Sequence, residues 1–266
     1  MKQARPVRPA ADGKTARGSR TRTRTAAHLP AVIDQDDQVI AHLRIPDKTN
    51  EIPCLREVPG SLDIEGAWVS ADALHTQTDT ARFLVEEKKA PYLLTVKLNR
   101  PTLYARCCRL PGDKATAKYY DRTEGHGRKE TRVVQVLTVS HLGFPHARQV
   151  ARITRHRTDT ATGKRTRETV YVITDLPARQ AKPQDIARGL RGHWHIENKI
   201  HYVRDTLGDE DRSQIRTGHG PENMAALRNT ALNRLRATGA TNMTAAVRDL
   251  SYEPFTAPLD LLGIPR

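Results

Sequence analysis

The stretch Gly66-Ala-Trp-Val-Ser-Ala-Asp72 and the two segments that follow it decide the fold class. Residues 66–71 predict a short buried strand, residues 77–89 a helix, and Tyr92-Leu-Leu-Thr-Val-Lys97 a second apolar strand. A strand, a helix and a strand at this spacing predict a parallel pair joined by a right-handed crossover. We therefore expect an α/β core in which Asp72 stands at the C-terminal end of its strand.

Two further strands are predicted upstream of this unit, at residues 25–33 and 38–45, with the polar turn Asp34-Gln-Asp-Asp37 between them. Pro30 weakens the first of these strands because proline cannot donate a hydrogen bond to the ladder. Residues 49–53 predict the start of a helix, with Thr49 or Asn50 as its cap.

The downstream half contains a segment of predicted strands followed by a segment of predicted helices. Arg-rich segments with alternating apolar residues at 131–139, 148–157 and 168–174 predict antiparallel strands, with residues 158–165 as a connecting loop. We interpret them as a β-rich insertion in the α/β core. Residues 183–207 then predict a helix. Residues 221–236 predict an amphipathic helix whose apolar face is Met224, Leu227, Ala231, Leu232 and Leu235.

The composition points to a polyanionic partner. The 266 residues carry 44 Lys and Arg against 30 Asp and Glu, a formal net charge of +14, and Arg, which suits bidentate phosphate contacts, predominates. Nucleic acid is the natural partner for such a chain. The alternative is that Arg-rich and Ala-rich codon usage leaves much of this charge as a solvated surface. Aromatic residues make up only 5%, which argues against a stacking platform for single strands.

Several classes of protein are excluded or disfavoured. No apolar run approaches the roughly 20 residues that a membrane-spanning helix needs, and the basic N-terminus lacks the apolar core of a secretory signal. The odd number of cysteines (Cys54, Cys107 and Cys108) favours a reduced, cytoplasmic chain. Without a Cys-x-x-Cys pair, a thiolate zinc site is not expected.

Three carboxylates stand out from this basic background. Asp12 lies in Ala-Asp-Gly-Lys-Thr, Asp72 ends an apolar strand, and Glu197 lies in the basic, aromatic helix Arg191-Gly-His-Trp-His-Ile-Glu-Asn-Lys-Ile-His201. If neighbouring strands and a helix on the same sheet bring them together, divalent ions must neutralise them. Two Mg²⁺ or Mn²⁺ ions about 3.5–4 Å apart would support an in-line phosphoryl displacement.

Each acid also has a structural alternative. Asp12 can be a turn residue before Gly13, Asp72 a helix N-cap, and Glu197 a surface residue paired with Lys199 or His201. His193, Glu197 and His201 recur at every fourth position, which could describe a zinc site. Their order does not match the His-Glu-x-x-His pattern of metalloproteases, so we do not favour a zinc hydrolase.

Basic side chains close in sequence to these acids are candidates for contact with the DNA backbone, although each could be merely solvated. The predicted DNA-binding residues are Lys14, Arg17, Lys97, Arg128, Arg191, His193, Lys199 and Arg204.

Eight motifs, in a fixed order over nearly the whole chain, raise these expectations further. They are Asp12-Gly-Lys-Thr-Ala-Arg-Gly-Ser19, Lys48-Thr-Asn-Glu-Ile-Pro53, Ser70-Ala-Asp-Ala-Leu-His-Thr-Gln77, Thr95-Val-Lys-Leu-Asn-Arg-Pro-Thr-Leu103, His126-Gly-Arg-Lys-Glu-Thr-Arg132, Tyr171-Val-Ile-Thr-Asp-Leu176, Arg191-Gly-His-Trp-His-Ile-Glu-Asn-Lys-Ile-His201, and Asp211-Arg-Ser-Gln-Ile-Arg-Thr-Gly218 with Pro221-Glu-Asn-Met-Ala225. With these motifs the chain resembles the DDE transposases of bacterial insertion sequences, specifically the ISAs group of the RNase H-like superfamily.

The resemblance implies a fold and an activity. Asp12, Asp72 and Glu197 correspond to the catalytic, metal-binding triad, holding two Mg²⁺ or Mn²⁺ ions. The reaction would be DNA strand cleavage at transposon ends, followed by attack of the freed 3′-hydroxyl on target DNA. The partners would be double-stranded DNA and a second copy of the chain bound on DNA, in the bacterial cytoplasm at the nucleoid.

The same resemblance divides the chain. Residues 1–10 form a basic tail, 11–104 the first part of an RNase H-like mixed sheet with flanking helices, 105–180 the β-rich insertion, and 181–266 the catalytic Glu helix with C-terminal helices.

Some features depart from the family pattern. Related proteins carry a further N-terminal region ahead of the Asp-Gly-Lys motif, and His193 stands where they usually have Arg. The strand expected before Asp12, Pro6-Val-Arg-Pro-Ala-Ala11, contains two prolines. These departures predict, as the alternative, a truncated and catalytically inactive remnant that binds DNA non-specifically.

Overall fold

The computed structural model describes residues 9–34, 36–45, 62–112, 115, 117–125 and 127–265, with the side chains of residues 194 and 195 excepted. Most of the basic tail, the motif at 48–53 with its predicted helix start, Cys54 and His126 lie outside the described residues.

The described residues form a nine-stranded mixed sheet with the order β3-β2-β1-β4-β5-β9-β8-β7-β6. This confirms the predicted α/β class, and the sheet with its flanking helices is RNase H-like. The strands are β1 Ala10–Ala16, β2 Ala27–Ile33, β3 Val39–His42, β4 Val69–Ala71, β5 Tyr92–Val96, β6 Ala117–Gly125, β7 Arg128–Thr138, β8 Gln149–Asp159 and β9 Arg165–Thr174.

Helices fill the connections and the C-terminal region. The α-helices are α1 Thr78–Arg82, α2 Pro101–Cys108, α3 Pro183–His195, α4 Tyr202–Thr206, α5 Gly220–Ala237, α6 Met243–Tyr252 and α7 Ala257–Leu262. A π-helical segment, Phe83–Glu87, continues α1, and another, Ile196–His201, joins α3 to α4. Short 3₁₀ turns lie at Arg17–Ser19 and Glu210–Arg212. Among the described helices, none is both long and apolar enough to cross a membrane.

The described residues group into two compact units. The first contains residues 9–11 and 62–193. In it β4 pairs in parallel with β1, where Ala11 is in register with Ala71, and in parallel with β5, where Ala71 is in register with Leu94. The parallel pair predicted from residues 66–97 is therefore confirmed, although β4 is only three residues long.

The strands of the predicted insertion continue this sheet. β9 pairs antiparallel with β5, and β8, β7 and β6 follow in antiparallel order. Alternate residues of β7, β8 and β9 bury one face against α3, in a core of Trp68, Leu93, Val134, Val136, Ala151, Ile153, Val172, Leu176, Ala181 and Ile186. The alternation that predicted three of these strands thus has a packing cause. Strand β6 was not predicted from the sequence.

The second unit contains residues 12–45 and 194–265 among those described. Helix α5 packs one face on the strands and the other on the C-terminal helices, with Ala225 against Ala16 and Leu29. Asn233 closes the edge of β3, because its side chain accepts from Val39 N–H at 3.0 Å and donates to Val39 O at 2.9 Å.

The buried face of α5 differs from the predicted one. Leu232 and Leu235 are buried as expected, but Leu227 is 62% exposed and Ala231 is exposed. Ala225 and Asn229 are buried in their place. Small and polar side chains fit here because the helix approaches the strands closely.

The strand that presents Asp12 does not have the expected bounds, and Pro6 lies outside the described residues. β1 begins at Ala10 and contains no proline. Pro9 precedes it and contributes only its carbonyl oxygen, which accepts from Ser70 N–H at 3.0 Å. A proline at that position keeps its acceptor, and its missing donor does not interrupt the pairing of β1 with β4.

Candidate active site

Two of the three predicted acids meet in the second unit, beside a histidine. Asp12 is the third residue of β1, and Glu197 and His201 lie in the π-helical segment. Their ligand atoms all lie within 4.8 Å of one another. His201 Nδ1 is 3.6 Å from Glu197 Oε2 and 3.8 Å from Asp12 Oδ2. Among the described residues this is the one such cluster able to hold a metal ion.

The three side chains differ in exposure. Asp12 is 14% exposed and His201 is 7% exposed, whereas Glu197 is 64% exposed. The protein thus holds one carboxylate and the imidazole in place and presents the second carboxylate at the surface. An arrangement of this kind is accessible to a large substrate.

The local helix geometry sets the position of Glu197. Helical residues run from Pro183 to Thr206, and Ile196–His201 has π-helical hydrogen bonding. π-helical segments are rare in proteins, and those that occur are often found at functional sites. Ile196 and Ile200 are fully buried, so the opposite side of the segment presents Glu197.

Asp72 lies in the first unit and has a local role. Its Oδ1 accepts from Leu74 N–H at 2.9 Å and from His75 N–H at 3.4 Å. It therefore caps a turn, and not the N-terminus of a helix. Both bonds use the same oxygen, and Asp72 immediately follows Ala71, the residue in register with Ala11 on β1.

A buried ionic network adjoins Asp12 on the same strand. Lys14 is 8% exposed, and its Nζ lies 2.7 Å from Asp205 Oδ2, 3.5 Å from Asp211 Oδ1 and 3.9 Å from Glu210 Oε2. Arg204 forms an ion pair with Glu210, and both side chains are only 1% exposed. A buried charge needs such partners, because desolvation is costly.

The network changes the interpretation of two predicted DNA contacts. Lys14 and Arg204 are buried among carboxylates, so they are poor candidates for contact with phosphate. His193, at 9% exposure, is a poor candidate because its side chain is buried. Their sequence positions made all three candidates, but only the fold shows that acids lie beside Lys14 and Arg204.

The other predicted cations are on the surface. Arg17 is 81% exposed, and Lys97 and Arg128 are also exposed. Arg191 is 45% exposed and pairs with Asp121 at 3.0 Å, and Lys199 is 48% exposed and pairs with Asp37. These five remain candidates for phosphate contact.

Two of the sequence motifs pack against each other around Gly18. A Cβ atom on Gly18 would lie 2.3 Å from Ser213 O and 2.8 Å from Asp211 O, so only glycine allows this approach. Arg216 Nε donates to Gly18 O at 3.0 Å. The motif at 12–19 and the motif at 211–218 therefore form one structural element beside the carboxylates.

His201 is the residue whose place in the cluster sequence reasoning missed. It entered only as a partner for Glu197 or as part of a disfavoured zinc pattern. The signal was its position four residues after Glu197, which places both on one helix face. What the sequence does not reveal is that β1 brings Asp12 to the same face.

The donor set suits a divalent cation that prefers oxygen. Mg²⁺ binds carboxylate oxygens at about 2.0–2.1 Å in octahedral geometry, so adjacent ligand atoms lie about 2.9 Å apart and opposite ones about 4.1 Å. The separations of 3.6 and 3.8 Å lie within about 1 Å of these values, so small side-chain shifts would let the groups share one ion. An imidazole nitrogen beside two carboxylates is also compatible with transition-metal ions such as Mn²⁺.

Comparison with known proteins shows the family to which the chain is similar. The family model described as a transposase DDE domain matches residues 4–234. The putative transposase YncI of Escherichia coli O157:H7 is 29% identical over 247 residues, covering 85% of this chain and 61% of its own length. The H repeat-associated putative transposase YhhI of Escherichia coli K12 is 29% identical over 242 residues, covering 84% of this chain and 62% of its own. The chain thus spans less than two thirds of these relatives.

Proposed function

Because this chain belongs to the family of transposase DDE domains, we propose that it cleaves DNA strands and joins the freed 3′-hydroxyl to target DNA. The single observation that carries the proposal is the meeting of Asp12 and Glu197, acids far apart in sequence, at one point beside His201. Asp72 is proposed as the third acid. Its position after the residue paired with Ala11 supports this assignment.

The proposed metal ligands are the carboxylates of Asp12, Asp72 and Glu197, and the ions are Mg²⁺ or Mn²⁺, two in number. When bound, such ions stabilise the charge that develops on the phosphoryl oxygens and on the leaving oxygen. The protein orients the carboxylates. Strand β1 carries Asp12, which is 14% exposed, and the fully buried Ile196 and Ile200 anchor the helix that carries Glu197.

The bond changes of the proposed reaction balance without a further reactant. In the first step, a water oxygen attacks phosphorus, the bond from phosphorus to the 3′-oxygen breaks, and the water proton is passed to solvent while the 3′-oxygen gains one. In the second step, that 3′-hydroxyl attacks a target phosphate, and the oxygen it displaces takes up a proton.

The proposed partners follow from the reaction. They are double-stranded DNA, as transposon ends and target, and a second copy of the chain on that DNA, in the cytoplasm at the nucleoid. The inactive alternative drew on a malformed first strand, and β1 is continuous through Asp12 without a proline. No observation favours that alternative.

Manganese-dependent nicking of supercoiled DNA that carries the element's own flanking sequence tests the proposal. The comparison is between the chain, its Glu197→Gln variant, and the control Glu65→Gln, which removes an exposed carboxylate from the other unit. We expect the Glu197 variant to lose at least about 100-fold in nicking rate, about 2.7 kcal/mol of barrier, and the control to lose nothing. Equal rates for the chain and its Glu197 variant would refute the assignment.

A further inference from the structure

The four strands β6 to β9 form an arm in which side chains line up in rows across the sheet. Arg122, Thr131, His156 and Arg167 are successive register partners on β6, β7, β8 and β9. The next row toward the tip is Glu124, Lys129, Thr158 and Arg165. Residues opposite each other on paired strands point to the same face, so both rows lie on one face of the arm.

On the opposite face of the arm, arginine side chains form ion pairs with carboxylates. It is the face that carries Val134 and Val136 into the core, and beyond the core it carries arginines that each have a carboxylate partner. Arg157 Nε lies 2.8 Å from Glu130 Oε2, Arg155 lies 3.0 Å from Glu168, and Arg132 lies 3.5 Å from Asp121. Charge on this face therefore supports the structure.

The face with the rows is different. Arg122, His156, Arg165 and Arg167 are exposed, and none has an ion pair with another part of the chain that the structure describes. The one acid in the two rows, Glu124, pairs with Lys129 at 3.3 Å. Four fixed cations and a histidine thus stand against one acid on this face, and we call it the basic arm face.

Among the residues that the structure describes, those that cover this side of the arm lie over the part nearest the core. Tyr104 of helix α2 packs there against Tyr171 of β9, with the ring centroids 5.5 Å apart. The side chain of Gln135 donates a hydrogen bond to Gly112 O at 3.1 Å. The row that contains Gln135 and Tyr171 lies closer to the core than the basic rows. Tyr120, two residues along β6 from Lys118 of that row, is 56% exposed.

We propose that the basic arm face binds the phosphate backbone of duplex DNA. Arg122 and Arg167 are three strand spacings apart, about 14 Å, and the two rows are about 7 Å apart along the strands. Cations at these separations can meet phosphates on both sides of a major groove about 12 Å wide. A face built from strands, without a helix to enter the groove, indicates contacts to phosphate and not to bases.

This inference rests on the proposed function, since it takes duplex DNA as the substrate, but it uses none of the candidate catalytic residues. It also extends the predicted DNA contacts to residues that sequence reasoning did not select. Of those it did select in the arm, Arg128 lies at the tip, in register with Asp159.

The test is the salt dependence of binding to a random-sequence duplex, measured by fluorescence anisotropy. The variant is Arg122→Gln with Arg167→Gln, and the matched control is Arg179→Gln with Arg248→Gln, which removes the same charge at exposed positions away from the arm. Each lost phosphate contact should reduce the slope of log K against log salt by about 0.9. We expect a reduction of about 1.8 in the variant and no change in the control.

Two results would overturn the inference. One is a slope in the arm variant equal to that of the unaltered chain. The other is an equal reduction in the control, which would mean that net charge alone governs binding. Melting curves of both variants establish that the arm is folded. Nicking by the unaltered chain, measured in parallel, separates a failure of this surface from a failure of the proposed function.

Discussion

His201 Nδ1 lies between two carboxylates, 3.6 Å from Glu197 Oε2 and 3.8 Å from Asp12 Oδ2, in a side chain that is 7% exposed. Neither distance is a hydrogen bond, so the imidazole does not lock the acids together. Its second nitrogen, Nε2, is buried without a hydrogen-bond partner in the described part of the chain. The geometry suits a residue that shares a cation with the two acids.

Replacing His201 by Ala should therefore weaken the use of metal. Residues that complete or support a metal site typically contribute 10–100-fold in metal affinity or activity. We expect His201→Ala to raise the Mn²⁺ concentration for half-maximal nicking by roughly 10-fold or more. The control is His219→Ala, which alters an 82% exposed histidine of the same unit. An unchanged Mn²⁺ midpoint in the folded His201 variant would remove His201 from the site.

The parallel pair and the position of Asp72 were predictable because an apolar strand followed by a single acid leaves a local signature. Asp12, in contrast, lies within β1 and not at the end of a strand. The ionic network was not. Lys14 is buried by acids about 200 positions away, and no local pattern carries that information. β6 was missed for a different reason: it is an edge strand in which most residues are exposed, so it lacks the apolar alternation that identified its neighbours.

The Arg204–Glu210 pair should be a major contributor to stability and not to DNA binding. Glu210→Ala leaves a buried guanidinium without its carboxylate, which typically costs about 3–5 kcal/mol of the free energy of unfolding. The exposed Glu253→Ala, as control, should change it by less than about 0.5 kcal/mol. Urea unfolding measures both.

A double variant tests the explanation itself. Arg204→Met with Glu210→Met removes both charges, so it should recover much of the loss seen with Glu210→Ala. If the double variant is as unstable as the sum of its single changes, the pair is not the cause. The salt slope of DNA binding should be the same in all folded members of this set.

Gly18 should not tolerate a side chain. A Cβ would lie 2.3 Å from a backbone oxygen of Ser213, and backbone cannot move aside as a flexible side chain can. We expect Gly18→Ala to lower the free energy of unfolding by about 1–3 kcal/mol. Gly125→Ala is the control, because a Cβ there would meet nothing within 4 Å. Equal melting temperatures for both variants would show that the two motifs do not pack in this way.

Glu130 should give the arm a stability that depends on pH. Burial alone would raise its pKa, but the hydrogen bond from Arg157 and the charges of Arg132, Arg155 and Arg157 outweigh burial and lower the pKa below its ordinary value of 4.5. A carboxylate whose pKa is lower in the folded state stabilises that state above its unfolded pKa. This contribution is lost as pH falls through the folded value.

The substitution Glu130→Gln removes that contribution and takes a charged partner from Arg132 and Arg157. The difference in free energy of unfolding between the chain and this variant should be constant from about pH 6 to 8 and shrink as pH falls below about 4.5. Glu124→Gln is the control, because that glutamate is 66% exposed and its ion pair with Lys129 lies at the surface. A difference for Glu130→Gln that persists unchanged at pH 3 would mean that lost packing, and not lost charge, accounts for its effect.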